Sequence, residues 1–150
     1  MMLFATVVGS GMMAESLSGG NVAVALLGNT LATAAMLFVL IAMLCPISGS
    51  HFNPAVSLVM WWRGELPPKQ LFGYVPVQIM AGVAGVWLAH LMFGQPILQF
   101  SGKVRTGLGQ WTGEFTASFG LILTIIGTSR RAPSWVPASG GLYIAAGYWF

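Results

Sequence analysis

The fold is decided by one stretch of the sequence, Ile47-Ser48-Gly49-Ser50-His51-Phe52-Asn53-Pro54-Ala55-Val56. Proline lacks a backbone donor and disfavours helical geometry in the residue before it, so a regular helix cannot run through this stretch. Asn53 has the residue type of a helix N-cap, and Pro54 suits the first helical position. We therefore predict that the backbone is irregular over residues 45–53 and that a new helix begins at Pro54.

The surrounding sequence has the composition of a membrane protein. Of its 150 residues, 56% are apolar and 6% are charged, and the mean hydropathy is +0.79. Soluble domains carry about 25% charged residues, so this composition argues against a soluble enzyme. The six Lys and Arg residues lie at the ends of apolar runs, which is typical of membrane-flanking positions and not of a nucleic-acid-binding patch. The single cysteine, Cys45, excludes a disulfide within the chain and a thiolate zinc cluster.

Apolar runs predict the membrane topology. A span needs about 20 apolar helical residues, which predicts three full spans, two partial spans at the ends, and a re-entrant half-helix from Pro54 to about Arg63. Residues 55–62 extend about 12 Å at 1.5 Å per residue, which is half of a bilayer. The full spans are residues 22–44, 71–93 and 111–129, and the partial spans are residues 1–13 and 135–150.

A broken helix at membrane depth indicates a pore or a binding site. Each unsatisfied amide group in lipid costs several kcal/mol, so irregular backbone persists only where protein or a watery cavity surrounds it. The amino end of the half-helix would direct its positive dipole at the membrane centre, where it repels cations, while the Asn53 amide donates to the oxygen of water or an alcohol. This arrangement favours neutral hydroxylated solutes.

The distribution of positive charge predicts the orientation. Two basic turns, at residues 63–69 and 130–133, carry four positive residues if they lie on the same side of the membrane: Arg63, Lys69, Arg130 and Arg131. The loop of residues 94–109, on the other side, carries two, Lys103 and Arg105. The positive-inside rule then places the larger group in the cytoplasm.

Two segments carry a family resemblance. Residues 48–56 resemble the first NPA motif and its surrounding loop in the aquaporin and glycerol-facilitator family, also called the major intrinsic proteins. Residues 113–120 include Glu114 and resemble the start of the fourth helix of that family, with its buried glutamate. Residues 5–10 also resemble residues 123–128, which indicates an internal repeat. The resemblance implies an all-α membrane protein of the aquaporin type, a right-handed helix bundle with two inverted halves and two half-helices meeting at paired Asn residues.

The resemblance also implies functional residues. It assigns the pore to Asn53, Pro54 and Ala55, and it makes Thr33, twenty residues before Asn53, a candidate for the outer selectivity filter. Its small side chain would widen the filter toward solutes larger than water, whereas the alternative is an ordinary packing residue. Support of the loop is assigned to four residues, of which His51 is expected to bond the loop backbone: Ser48, Gly49, His51 and Glu114.

The resemblance further implies partners and a location. We expect residues 1–150 to form a single transmembrane domain, the first repeat and the start of the second, in a homotetramer in a bacterial inner membrane. The expected permeants are water, glycerol or a neutral metalloid hydroxide, and no cofactor, metal or nucleic acid is expected.

Departures from the family pattern leave other interpretations open. The sequence has no second NPA motif and no arginine following such a motif. We therefore expect a truncated chain that forms about two-thirds of the fold and is incomplete at both ends. A second interpretation is that the chain is a fragment that does not conduct. A secondary transporter also uses inverted repeats and broken helices, but Glu114 is the single acidic residue within the predicted spans. An enzyme is disfavoured because no acidic residue lies near Ser48, Ser50 and His51 in sequence to orient the histidine.

Overall fold

The fold is helical throughout the part of the chain that the structure describes, as predicted. The computed structural model describes residues 1–102 and 106–150, and these form six α-helices with a 3-10 turn at Pro133–Trp135. The helices are α1 Met2–Leu17, α2 Val22–Ser48, α3 Pro54–Trp62, α4 Pro68–Met92, α5 Leu108–Arg131 and α6 Val136–Gly147. The short α3 is the predicted half-helix, and Arg63 is its C-cap.

Small residues let the long helices approach closely. α1 packs against α2 and α4, while α6 packs against α2 and α5. A Cβ atom added to Gly85 would clash with the carbonyl oxygen of Met1, and one added to Gly141 would lie 2.9 Å from the carbonyl oxygen of Ala34. Gly82, Gly85 and Ala89 are all buried on α4, which is consistent with close packing of this helix.

The short α3 lies between two long helices. Val56 and Met60 of α3 form a buried cluster with Leu66, and apolar residues of α4 and α5 pack against that cluster. The packed residues are Leu71, Tyr74, Leu121, Ile122, Ile125 and Ile126. This cluster holds the half-helix in place between its neighbours.

Two helices of the described part are long and apolar enough to cross a membrane, α2 and α4. The third predicted span forms a helix, α5, whose 24 residues reach about 36 Å, but it does not have the same apolar composition. Its first half is polar, with Gln110, Thr112, Glu114 and Thr116 among its residues.

The prediction that the helix breaks at Cys45 is wrong. α2 continues through Pro46 to Ser48 and ends at Gly49, which adopts a left-handed conformation and donates its N–H to the Cys45 carbonyl at 3.0 Å. Pro46 lies in the last turn of α2. Because proline has no backbone N–H, the helix loses a single backbone hydrogen bond there. The irregular segment is therefore shorter than expected, and we call residues 49–53 the re-entrant loop.

The two basic turns lie toward the same end of the bundle. α3 ends in a Schellman motif, in which Gly64 donates to the Trp61 carbonyl and Glu65 to the Met60 carbonyl, both at 2.9 Å. Leu66 then packs in one cluster with residues near the end of α5, where Arg130 and Arg131 form the last turn. Four positive residues thus share this end, whereas Lys103 and Arg105 lie outside the described residues.

Candidate pore site

The amino end of α3 has the geometry that the sequence predicts. Asn53 has extended backbone angles, φ −143° and ψ 128°, and its Oδ1 accepts the N–H of Ala55 at 2.8 Å. Pro54 occupies the first turn, where its missing donor costs nothing. The side-chain oxygen of Asn53, Oδ1, is used by the cap. The Nδ2 group is therefore the part of the side chain that can donate to a solute.

The re-entrant loop has an unusual backbone. Gly49, Ser50 and Phe52 all have positive φ, at 74°, 48° and 48°. Residues with a Cβ rarely adopt this region, and each such position costs of order 1–3 kcal/mol unless the surroundings enforce it. A Cβ added to Gly49 would lie 3.1 Å from Nε2 of His51, so glycine avoids a tight contact there as well as the strained φ.

Side chains of α3 and α4 hold the loop in this conformation. His51 Nδ1 lies 3.1 Å from the hydroxyl of Ser57, which is fully buried, and Gln78 donates its Nε2 to the same hydroxyl at 3.0 Å. Tyr74 donates its hydroxyl to the Ser48 carbonyl, and its ring lies 5.3 Å from the His51 ring. The expectation that His51 bonds the loop backbone is wrong, because this nitrogen meets a side chain.

Sequence reasoning missed Ser57, Tyr74 and Gln78. One signal for Gln78 is its amide within an otherwise apolar helix, and Tyr74 lies one turn before it on the same face. Ser57 lies four residues after Asn53, so its hydroxyl faces back over the first turn of α3. Ser57 is positioned by α3, which directly follows the loop, whereas Tyr74 and Gln78 are positioned by α4, which is more distant in sequence.

A cavity of about 500 Å³ lies between α1, the loop and α4. Its lining includes Ser50, His51, Tyr74 and Gln78. Ser50 Oγ and Gln78 Oε1 are buried without a hydrogen-bond partner among the described residues, and such atoms in a native protein are places where water or a ligand donor binds. These two polar atoms lie in a lining whose other residues include the apolar Leu3, Phe4 and Val77.

The structure places the other predicted site residues apart from the loop. Thr33 is 3% exposed within α2, where its hydroxyl donates to Asn29 Oδ1 and accepts from the hydroxyl of Tyr148. Glu114 is exposed on α5 and lines a second cavity of about 490 Å³ between α5 and α6. The described partners of the loop do not include Glu114, so its role in loop support stays a prediction.

The model of one protein family, "Major intrinsic protein", matches residues 1–146. The chain belongs to this family. The match covers the first five described helices in full and α6 up to residue 146, and it includes the Asn-Pro-Ala sequence at residues 53–55. As a member of the major intrinsic protein family, the chain is an integral membrane protein, in agreement with its two apolar helices.

Two bacterial relatives illustrate the similarity. The chain is 50% identical over 149 residues to Aquaglyceroporin AqpS of Rhizobium meliloti (strain 1021), a match that covers 99% of this chain and 64% of the relative. It is 34% identical over 85 residues to Aquaporin Z of Brucella melitensis biotype 1, which covers 55% of this chain and 37% of that relative. The chain thus spans just under two-thirds of the length of the first relative.

Proposed function

We propose that this chain contributes to a passive transmembrane channel for water and small neutral hydroxylated solutes, and that it is not an enzyme. The observation that carries the proposal is the half-helix α3, which begins at Pro54 after a backbone break, has Asn53 as its N-cap, and packs between two long helices. In a membrane, such a break requires a protein-lined or water-lined cavity around it. Membership of the major intrinsic protein family supports the same function.

The chemistry of the site favours neutral solutes. The dipole of α3 contributes a partial positive charge at its amino end, and the Asn53 Nδ2 group adds two donors there. A solute oxygen is stabilised at this point, whereas a cation is repelled. The names of the relatives support water and glycerol as the permeants of the whole channel. We further propose a homotetramer in a bacterial inner membrane, with the end that carries Arg63 and Arg130 in the cytoplasm.

A charge change at Asn53 tests the proposal. The chain is reconstituted in liposomes, alone and joined to the part of the Rhizobium relative that lies beyond the match, and water, glycerol and proton flux are measured by stopped flow. We expect the longer version to conduct water and glycerol passively and to exclude protons. Asn53→Asp places a carboxylate at the positive helix end, so it should lower the water flux and admit cations.

Asn21→Asp is the matched control. Asn21 is the N-cap of α2 and accepts from the N–H groups of Ala23 and Val24, but it is exposed at the start of a full helix. This variant should leave ion exclusion unchanged. Unchanged ion exclusion in Asn53→Asp would contradict the assignment of Asn53 to the pore. Flux that requires an ion gradient would contradict a channel and favour a transporter.

A further inference from the structure

An apolar groove lies between α3 and α4, and we call it the α3–α4 groove. It has a volume of about 440 Å³ and shares no lining residue with the cavity beside the re-entrant loop. Every residue that lines it is apolar, and Pro54, Ala55 and Pro76 have short or rigid side chains that leave part of it unfilled. Leu58 and Phe72 also line it, and both are exposed. The groove is therefore open to the surroundings of the helix bundle.

The register of the two helices places Trp62 and Lys69 at one end of the groove. Leu58 and Trp62 are four residues apart on α3, so they share one face of that helix. Lys69 and Phe72 are three residues apart on α4 and also share a face. Because α3 ends at Trp62 and α4 begins one residue before Lys69, both residues lie at the end that carries the basic turns. We call this end the mouth of the groove.

Lys69 brings a positive charge to the mouth that no described carboxylate neutralises. Glu65 precedes Lys69 by four residues, but Arg63 donates its Nε to the Glu65 carboxylate at 2.9 Å. Lys69 is exposed and forms no ion pair with the residues that the structure describes. An anionic group can therefore bind Lys69 without breaking an existing ion pair.

A charged mouth above an apolar groove fits an amphiphilic molecule with a negative headgroup. A soluble anion would contact Lys69 and leave the groove empty, whereas a wholly apolar molecule would fill the groove and leave the charge unused. Trp62 is 82% exposed at the mouth, and indole rings in membrane proteins are enriched at the level of the lipid headgroups. The seven residues from Ala55 to Trp62 rise about 10 Å, within the depth of one leaflet of about 15 Å.

We propose that the α3–α4 groove binds an acyl chain of an anionic phospholipid, whose phosphate is bound by Lys69 at the mouth. Lysine binds phosphate as a point charge, and Trp62 lies beside the headgroup. The basic end of the bundle as a whole attracts anionic lipid, but the groove gives one lipid a defined position there. The site lies outside the proposed pore, and its occupation does not depend on conduction.

Fluorescence quenching tests the binding of the headgroup. The chain is reconstituted in phosphatidylcholine vesicles with increasing fractions of phosphatidylglycerol that is brominated on its acyl chains. The part of the quenching that disappears in Trp62→Phe reports lipid beside Trp62. The wild type should prefer phosphatidylglycerol over brominated phosphatidylcholine, and Lys69→Gln should lower this preference by about fivefold, the effect of one cation near an anionic surface.

Arg131→Gln is the matched control for charge. It removes one positive charge from the same end of the bundle, and Arg131 is exposed. Arg131 belongs to α5, which packs against the cluster of Val56 and Met60, and these two residues lie on the face of α3 opposite Leu58. Arg131→Gln should therefore change the preference for phosphatidylglycerol much less than Lys69→Gln does.

Filling the groove tests the binding of the acyl chain. Val75 lines the groove, so Val75→Phe should weaken the quenching at Trp62 by both brominated lipids. Val83→Phe is the matched control, because Val83 is an exposed residue of the same helix and does not line the groove. It should leave the quenching unchanged. The longer version described above should behave like the chain alone in each of these measurements.

Each contrary outcome would overturn the lipid site. Equal losses of preference in Lys69→Gln and Arg131→Gln would mean that the basic end attracts anionic lipid without a defined position. Unchanged quenching in Val75→Phe would mean that the groove holds no acyl chain. Loss of the lipid preference in the longer version would mean that the added part of the channel fills the groove. Displacement of phosphatidylglycerol by inorganic phosphate would indicate a site for a soluble anion. A failure of the proposed channel function would appear in the flux assays and would leave these results unaffected.

Discussion

Replacement of Gly49 by alanine should destabilise the chain for two separable reasons. The φ of 74° at Gly49 lies in the left-handed region, where a Cβ costs about 1–2 kcal/mol. The new methyl group would also lie 3.1 Å from His51 Nε2. His51 cannot easily move away, because Ser57 holds its Nδ1 and the Tyr74 ring lies beside it. Overpacking of this kind typically adds about 1–3 kcal/mol.

Gly64→Ala separates the two costs. Gly64 has a nearly identical φ of 75° but has nothing within 4 Å of an added Cβ. Unfolding in a series of denaturing detergent mixtures, followed by tryptophan fluorescence, should therefore show a loss of about 1–2 kcal/mol for Gly64→Ala and a larger loss for Gly49→Ala. The excess should shrink when His51→Ala is added to Gly49→Ala, because the contact is then removed.

The result that would refute this reasoning is equal destabilisation by the two glycine substitutions. Equality would mean that His51 yields freely, and hence that the bonds from α3 and α4 do not hold the loop. A larger loss for Gly64→Ala would have the same meaning.

Two further substitutions test the packing around the site. Ser57→Ala removes a buried hydroxyl that bonds both His51 and Gln78, so it should lower the free energy of unfolding by about 1–3 kcal/mol. The control Ser139→Ala, which loses a bond within one helix, should lower it less, and equal losses would contradict the bridging role of Ser57. Gly85→Ala should destabilise the chain because the added Cβ would collide with α1. Gly73→Ala in the same helix adds its Cβ to open space and should raise the free energy of unfolding by up to about 1 kcal/mol. Stabilisation by Gly85→Ala would contradict the close contact of α1 and α4.

The half-helix could be predicted from the sequence because its signals are local. Asn53, Pro54 and Gly64 determine where α3 begins and ends through capping rules that involve a few neighbouring residues. The helical content of the long segments followed from their composition in the same way.

The support of the loop could not be predicted, because it depends on contacts between distant residues. Gln78 reaches Ser57 across 21 positions, and Tyr74 reaches the Ser48 carbonyl across 26. The bond from Tyr74 to Ser48 and the cap at Gly49 both lie at the end of α2. There the helix continues through Pro46, against the local preference of proline. The bond between Thr33 and Tyr148 joins residues 115 positions apart, so no local pattern around Thr33 could predict it.

The central claim is that α3 is a half-helix whose amino end lies at the middle of the membrane. Its nine residues extend about 13 Å, roughly half of a hydrocarbon core of about 30 Å. In a Cys45→Ser background, spin labels at positions 55 and 62 in reconstituted chain report depth through their accessibility to oxygen and to a polar relaxation agent. The label at position 55 should lie near the bilayer centre and the label at position 62 near the headgroups. Equal depths at the two positions would place α3 flat in the interface and would contradict the claim.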